Sequence, residues 1–250
     1  MTRRRWIADE VHGNTAALTG EHAYHLSRVL RAQVGQEFDV ATGSDVRLGR
    51  IASISDERVE FVLGEELRGK PSPRLTLVLS IFKFDRMEWA IEKCTEIGVT
   101  RIVPLIARRT DSHLAAAANK RTERWERIAR QASEQARRAS PPEISPPVKF
   151  KDLSQANVLA GRANSPAATR IVLAESERDQ PLREAISATV SEVTLAIGPE
   201  GGWTEEELRA AREGRWLEVS LGTNILRTET AVVAALAAVN YAWGGFEGQE

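Results

Sequence analysis

Between residues 75 and 105 the chain reads LTLVLSIFKFDRMEWAIEKCTEIGVTRIVPL: an unbroken apolar run, a stretch with apolar residues every three or four positions, then a second apolar run. Strands buried on both faces read as continuous apolar runs, whereas an amphipathic helix repeats about every 3.6 residues. This order therefore predicts strand, helix, strand, with Met87, Ile91, Cys94 and Ile97 on the inner side of the helix. The rhythm persists through RIVLAES, a short helix over 182–188, VTLAIG, a helix from Thr204, WLEVSLG and a last helix through ETAVVAALAAVNYAW. Strands alternating with helices specify an α/β class with a mainly parallel sheet.

The first seventy residues follow a different pattern. EFDVAT (37–42), VRLGRIASIS (46–55) and RVEFVLGEEL (58–67) alternate as half-buried strands do, the last two joined at Asp56 and Glu57 in hairpin fashion, with one helical segment over 21–32. They predict a small β-barrel or sandwich. KPSPR (70–74) reads as a linker because its prolines oppose both helix and central strand. The expected domains are thus 1–70 and 74–247. Within the second, a long helix is expected over 120–139, with Trp125, Ile128, Ala129, Ala132 and Ala136 inward and arginines outward, serving either solubility or RNA. PPEISPPV reads as a stiff connection and AGRANSPAA as a flexible one.

Composition narrows the class. The single cysteine, Cys94, excludes an internal disulfide and offers no metal spacing; it reads as a structural thiol in a reducing compartment. The basic start MTRRRWIADEV lacks a long apolar core, and the run Ala231–Val239 is too short for a bilayer, so a soluble cytoplasmic protein with no metal is expected. Net charge is −1, yet residues 101–138 carry ten Lys/Arg against four Asp/Glu, a local basic balance suited to phosphates or simply to solvent.

The stretch AIGPEGGWTEEELRAA (196–211) sets three glycines within five positions between a strand and a helix. It matches neither GxGxxG nor a P-loop. Thr204 and Glu207 form the pattern of a capping box, which satisfies the first amides of the helix internally, and three glutamates in that turn would repel a phosphate. A neutral or cationic ligand is expected instead. SLGTNILRTETAVVAAL (220–236) repeats the strand, glycine, helix arrangement, and paired loops at strand C-terminal ends are where open α/β sheets bind ligands.

GPEGGWTEEE together with LGTNILRTETA resembles the paired C-terminal motifs of the RsmE family of the SPOUT superfamily. HLSRVLR (25–31), KFDRMEWAIEKCTEIGVTRIVPL (83–105) and RWERIARQASEQARRASPPEI (124–144) resemble its other signatures, whereas ARRTDSH (107–113) matches loosely. The resemblance implies methyl transfer from S-adenosylmethionine to N3 of a uridine in 16S rRNA, free or in the assembled small subunit. It also implies an N-terminal PUA-like β-barrel, a SPOUT domain with a deep trefoil knot, and a homodimer. A catalytically inactive RNA-binding assembly factor stays open as the alternative.

Cofactor contacts are then expected from Leu173, Gly198, Glu200, Gly201, Gly202, Leu221, Gly222, Asn224, Ile225 and Leu226. Asn224 stands where the family commonly carries a basic residue. Arg227 is the candidate to stabilise charge on the uracil, or equally a partner for Glu229 or Glu200; Glu200 is the candidate base, or a cofactor or backbone ligand. Arg3, Arg4, Arg5, Arg28 and Arg31 in the first domain, with Lys83 and Arg86 in the second, are the expected RNA contacts.

Overall fold

The computed structural model describes residues 5–67, 74–153, 168–177, 180–186, 190 and 192–243. The chain forms two units, 1–71 with 130–141 and 72–129 with 142–250. KPSPR lies outside the described residues up to Arg74, and AGRANSPAA up to Ala168.

The first unit is built on β1 (Arg5–Ile7), β2 (Glu10–His12), β3 (Thr15–Thr19), α1 (Gly20–Tyr24), β4 (Glu37–Ala41), β5 (Val46–Ile54) and β6 (Arg58–Glu66). The strands form one curled sheet in the order β1-β4-β5-β6-β3-β2, antiparallel except for β1 on β4. Their alternating side chains fill one interior with Trp6, Leu18, Leu26, Val40, Ile51, Val59 and Phe61. The helix expected over 21–32 is shorter. After α1 the chain makes a single wide turn over His25–Val29, then stops at Arg31, whose φ of 52° is left-handed. The Ala32 amide bonds back to the Leu26 carbonyl at 3.1 Å, an ending that satisfies carbonyls a helix would leave open.

The second unit contains β7 (Arg74–Ser80), α2 (Phe84–Ile97), β8 (Arg101–Ile106), α3 (Ser112–Ala117), α4 (Thr122–Gln135), β9 (Glu143–Ile144), β10 (Val148–Lys149), β11 (Ala168–Leu173), α5 (Leu182–Ala185), β12 (Glu192–Ile197), α6 (Glu205–Glu213), β13 (Leu217–Val219) and α7 (Thr228–Ala242), with the end of α4 from Arg130 counted in the first unit. The helix expected over 120–139 starts earlier as α3 and a tight turn over Ala118–Arg121. It ends sooner because Arg137 adopts a φ of 54° and the Arg138 amide turns back to the Ser133 carbonyl. PPEISPPV, expected as a bare connection, supplies β9 and β10 along the edge of β8. Pro104 falls opposite the interval between those two short strands, where its missing N–H costs no ladder bond.

The sheet is wholly parallel, in the order β10-β8-β7-β12-β11-β13, with β9 also on β8. Neighbouring residues sort to opposite faces as the two-residue repeat requires. Leu75, Leu77, Leu79, Ile171, Val193, Leu195 and Ile197 pack beneath Met87 and Ile91 of α2 and Val232, Leu236 and Val239 of α7. Val78, Val103, Val172 and Ala196 pack against Trp203 and, on α6, Leu208 and Ala211. The Cys94 thiol is buried and donates to the Ile91 carbonyl, as a structural thiol would. Among the described residues no helix is long and apolar enough to cross a membrane, and no group of three His, Cys, Asp or Glu could hold a metal.

In the first unit the tail of α4 is held to the sheet by charge. His22 sits between two carboxylates, Nδ1 at 3.1 Å from Asp9 and Nε2 at 3.2 Å from Glu134, while Arg130 donates to Asp9 at 2.6 Å. The hydrogen bond to Asp9, against partial burial and with help from the Glu134 charge, raises the His22 pKa. Burial would raise that of Asp9, but His22, the Thr19 amide and Arg130 together hold it lower. The His22 contribution is therefore complete below the ordinary value of about 6.5 and is lost as pH rises through the raised value. The Asp9 contribution is complete above about 3.8 and is lost as pH falls through the lowered one. His22→Gln is expected to be clearly less stable than wild type near pH 6 and nearly equal to it near pH 9, measured by urea unfolding across that range; a gap that does not narrow would remove the charged clamp.

Candidate functional site

Three strands of the parallel sheet end level. β11 pairs with β12 through Leu173 and Ile197, and with β13 through Leu173 and Val219, so the segments that follow emerge side by side at one edge. Together they line a cavity of about 760 Å³, walled by Leu173–Glu177, Pro181, Arg183 and Glu184, Ile197–Trp203 except Glu200, and Val219–Leu226, with Arg109, Leu208, Thr228 and Ala231. This volume is in the range of small-molecule sites, which favour the carboxyl ends of parallel strands.

The first loop is shaped by its neighbours. Gly202 has a φ of 69°, and its amide closes a turn on the Pro199 carbonyl at 2.8 Å. A β-carbon on Gly198 would lie 3.1 Å from the Trp203 ring, and the Trp203 indole donates to the Leu173 carbonyl at 2.8 Å, fastening this loop to the end of β11. The capping box is present: the Glu207 amide bonds the Thr204 hydroxyl, and the Glu207 carboxylate accepts from the Thr204 amide at 2.9 Å. Glu207 is 3% exposed, and its other oxygen accepts the Arg108 amide at 2.8 Å. Glu206 pairs with Arg108 and Glu205 with Arg212, so the three acids that open α6 are all engaged.

Arg109 completes the loop: its Nη1 donates to the Gly201 carbonyl at 2.7 Å and to the Trp203 carbonyl at 3.2 Å. Reading the sequence missed it, because ARRTDSH carries no local signal of the contact. Also missed were the carboxylates Glu175, Glu177 and Glu184 on the cavity wall; those of AESE, following a strand directly, were the available sign.

The second loop turns at Gly222, whose φ of 120° a side chain would strain. Leu221 packs on the core, Leu226 is half-buried, and Asn224 and Ile225 are exposed, Ile225 by 80%. Of the residues expected at a cofactor, Leu173, Gly198, Gly201, Gly202, Leu221, Gly222, Asn224, Ile225 and Leu226 are brought together around the cavity, and Glu200 is not. Arg227, at the start of α7, is exposed, does not line the cavity and has no ion pair among the described residues. Its two suggested partners are engaged elsewhere: Arg86 reaches Glu200 at 3.3 Å and Glu229 at 3.6 Å.

The expected RNA contacts are dispersed. Arg3 and Arg4 lie outside the described residues. In the first unit Arg5 donates to the Arg137 carbonyl, Arg28 clasps Asp56 through Nε at 2.8 Å and Nη2 at 2.6 Å, and Arg31 is exposed. In the second unit Lys83 is exposed before α2, while Arg121 and Arg124 both bind Glu88. Apolar walls, bent glycine backbone and wall carboxylates suit a ligand with a flat apolar part and positive charge.

Residues 70–240 match the family model described as an RNA methyltransferase domain. Ribosomal RNA small subunit methyltransferase E of Rickettsia conorii is 34% identical over 87% of this chain and 86% of its own length. The Synechocystis protein of the same name is also 34% identical, over 90% of this chain and 73% of its own. Among solved structures, the Neisseria gonorrhoeae enzyme of that name, bound to S-adenosylmethionine, superposes with a TM-score of 0.81 at 28% identity, covering 98% of this chain and 99% of that one. A Legionella pneumophila protein solved with the same cofactor gives 0.77 at 27% identity, covering 97% and 98%. The parallel sheet with its level loops, the barrel-like first unit and these likenesses along nearly the whole length lead to one statement: the chain belongs to the ribosomal RNA small subunit methyltransferase E family.

Proposed function

We propose that this protein methylates N3 of a uridine in 16S rRNA with S-adenosylmethionine as donor. The observation that carries the reading is the cavity at the level ends of β11, β12 and β13. Its residues fit that cofactor. Leu173, Ile197, Leu221 and Leu226 offer apolar surface for an adenine, the turns at Gly202 and Gly222 bare backbone for its edges, and Glu175 and Glu177 negative charge for a sulfonium, Glu184 being paired with Arg183. When bound, S-adenosylmethionine supplies an electrophilic methyl group. An inactive assembly factor would have no need of so complete a cavity.

The chain's own part is orientation and charge. Methyl transfer is an in-line displacement, so holding donor and acceptor in reach contributes a large part of the rate. N3 of uracil becomes a nucleophile when its proton leaves, and the charge then spreads onto the flanking carbonyl oxygens. Stabilising that charge is assigned to Arg227, which is exposed beside the second loop and without an ion pair among the described residues. Glu200, outside the cavity wall and paired with Arg86, is kept as the proposed base for the N3 proton. Arg31 and Lys83, exposed in their separate units, hold RNA phosphates, with the basic terminus at Arg3 and Arg4.

The same reading has the protein act in the cytoplasm as a homodimer on the small subunit or its RNA. The exposed Tyr241 and Trp89 of the second unit supply apolar surface for a partner copy. The trefoil knot belongs to the same reading, through the family to which the chain belongs.

Calorimetry is expected to show S-adenosylmethionine and its demethylated product binding to the full chain while ATP and NAD do not; absence of binding by the first two would sink the cofactor assignment. In single-turnover assays on small-subunit RNA, Arg227→Met is expected to be slowed on the order of a hundredfold with cofactor affinity kept, and to recover partly at higher pH. A wild-type rate in that variant would return Arg227 to a structural role. Light scattering at micromolar concentration should give twice the chain mass of 27.6 kDa, and a value at that single mass would remove the dimer.

A further inference from the structure

We propose that Arg109 is a positioning residue that moulds the first cofactor loop, and that Gly201 lacks a side chain because Arg109 crosses it. The inference rests on the cavity being the S-adenosylmethionine site. Arg109 follows β8, far along the chain from the loop it touches, and lines the cavity. One guanidinium nitrogen closes on two carbonyls of the loop, those of Gly201 at 2.7 Å and Trp203 at 3.2 Å. Its aliphatic stem runs over the same spot: a β-carbon on Gly201 would lie 3.3 Å from Arg109 Cβ and 3.4 Å from Cδ.

The stem and the charged head thus act at one place. With a bare Gly201 below it, the side chain lies flat and its head reaches both carbonyls; a β-carbon there makes the stem give by a few tenths of an ångström and shifts the head against them. Fixing these two carbonyls sets the direction of the intervening peptides, which are cavity wall. The base of Arg109 is itself fixed, because the buried Glu207 accepts the amide of Arg108 and also caps α6 at the far end of the loop. Glu207 and Arg109 therefore tie the segment after β8 to the segment after β12 at two points, one through backbone and one through a side chain.

A charged donor shared by two carbonyls in a partly enclosed site contributes enough that its removal weakens cofactor binding on the order of tenfold or more. Because Arg109 acts through the loop, the loss applies to any ligand that rests on the loop, whether or not it carries an amino-acid tail. The two residues also form one device, so their effects do not add.

The experiment is calorimetry on the full chain with two probes, S-adenosylmethionine and 5′-methylthioadenosine, for Arg109→Ala, Gly201→Ala, the double variant and Arg109→Lys, with thermal unfolding to establish that each is folded. The expected result is that each alanine variant weakens both probes by similar factors, that the double variant is no weaker than the worse single one, and that Arg109→Lys, which keeps the stem and one donor, recovers part of the affinity. Factors that multiply in the double variant would overturn the shared device. A loss confined to S-adenosylmethionine would instead make Arg109 a direct ligand of the cofactor's carboxylate, and unchanged affinity in Arg109→Ala would end the proposal. If wild type binds neither probe, it is the cofactor reading that fails; if wild type binds and Arg109→Ala binds equally, it is the role of Arg109.

Discussion

Everything in the second unit depends on the parallel pairing of β7, β12, β11 and β13. Parallel strands run the same way, so their carboxyl ends meet at one edge, and in-register pairing through Leu173, Ile197 and Val219 brings three of those ends level. The core keeps them there. With Leu195 packed to one side of the sheet and Ala196 to the other, a slip of one residue would drive each apolar side chain into the wrong layer. The cavity follows from this constraint, because loops leaving adjacent level strands emerge side by side, and Arg109 from the segment after β8 closes on the first of them.

Charge is distributed in a second, more economical way. Several arginines that looked available for nucleic acid are committed to carboxylates: Arg28 to Asp56, Arg86 to Glu200 and Glu229, Arg121 and Arg124 to Glu88, Arg130 to Asp9. Outside the partly buried clamp of Arg130 and Asp9, exposed pairs of this kind add little to stability, but each removes a cation from the field that a phosphate would meet. Arg31, Lys83 and Arg227 are exposed and outside these pairs, as are Lys120, Arg127, Arg209 and Arg215. The engagement of Glu205, Glu206 and Glu207 likewise moderates the negative potential that opens α6.

Legibility varied with how local the cause was. The capping box at Thr204 and Glu207 was readable because both partners lie within one turn, and Gly202 and Gly222 announced bends that their own φ angles require. The helix expected over 21–32 failed at its end, where a left-handed Arg31 stops it although arginine does not advertise that conformation. The strands hidden in PPEISPPV went unread because two-residue strands have no period to detect, and they form only where β8 offers an edge.

By itself the sequence determined the alternation of strands and helices, the inner face of α2, the two glycine-bearing loops and the cap between them, because each is set by residues a few positions apart acting through backbone preference and periodic burial. Only the tertiary structure decided that Arg86 takes Glu200 and Glu229 and leaves Arg227 exposed, and that Arg109 lies across Gly201. Those pairings join residues up to 143 positions apart, and which of many possible partners a charge finds is settled by sheet order and register, quantities that no local pattern of residues contains.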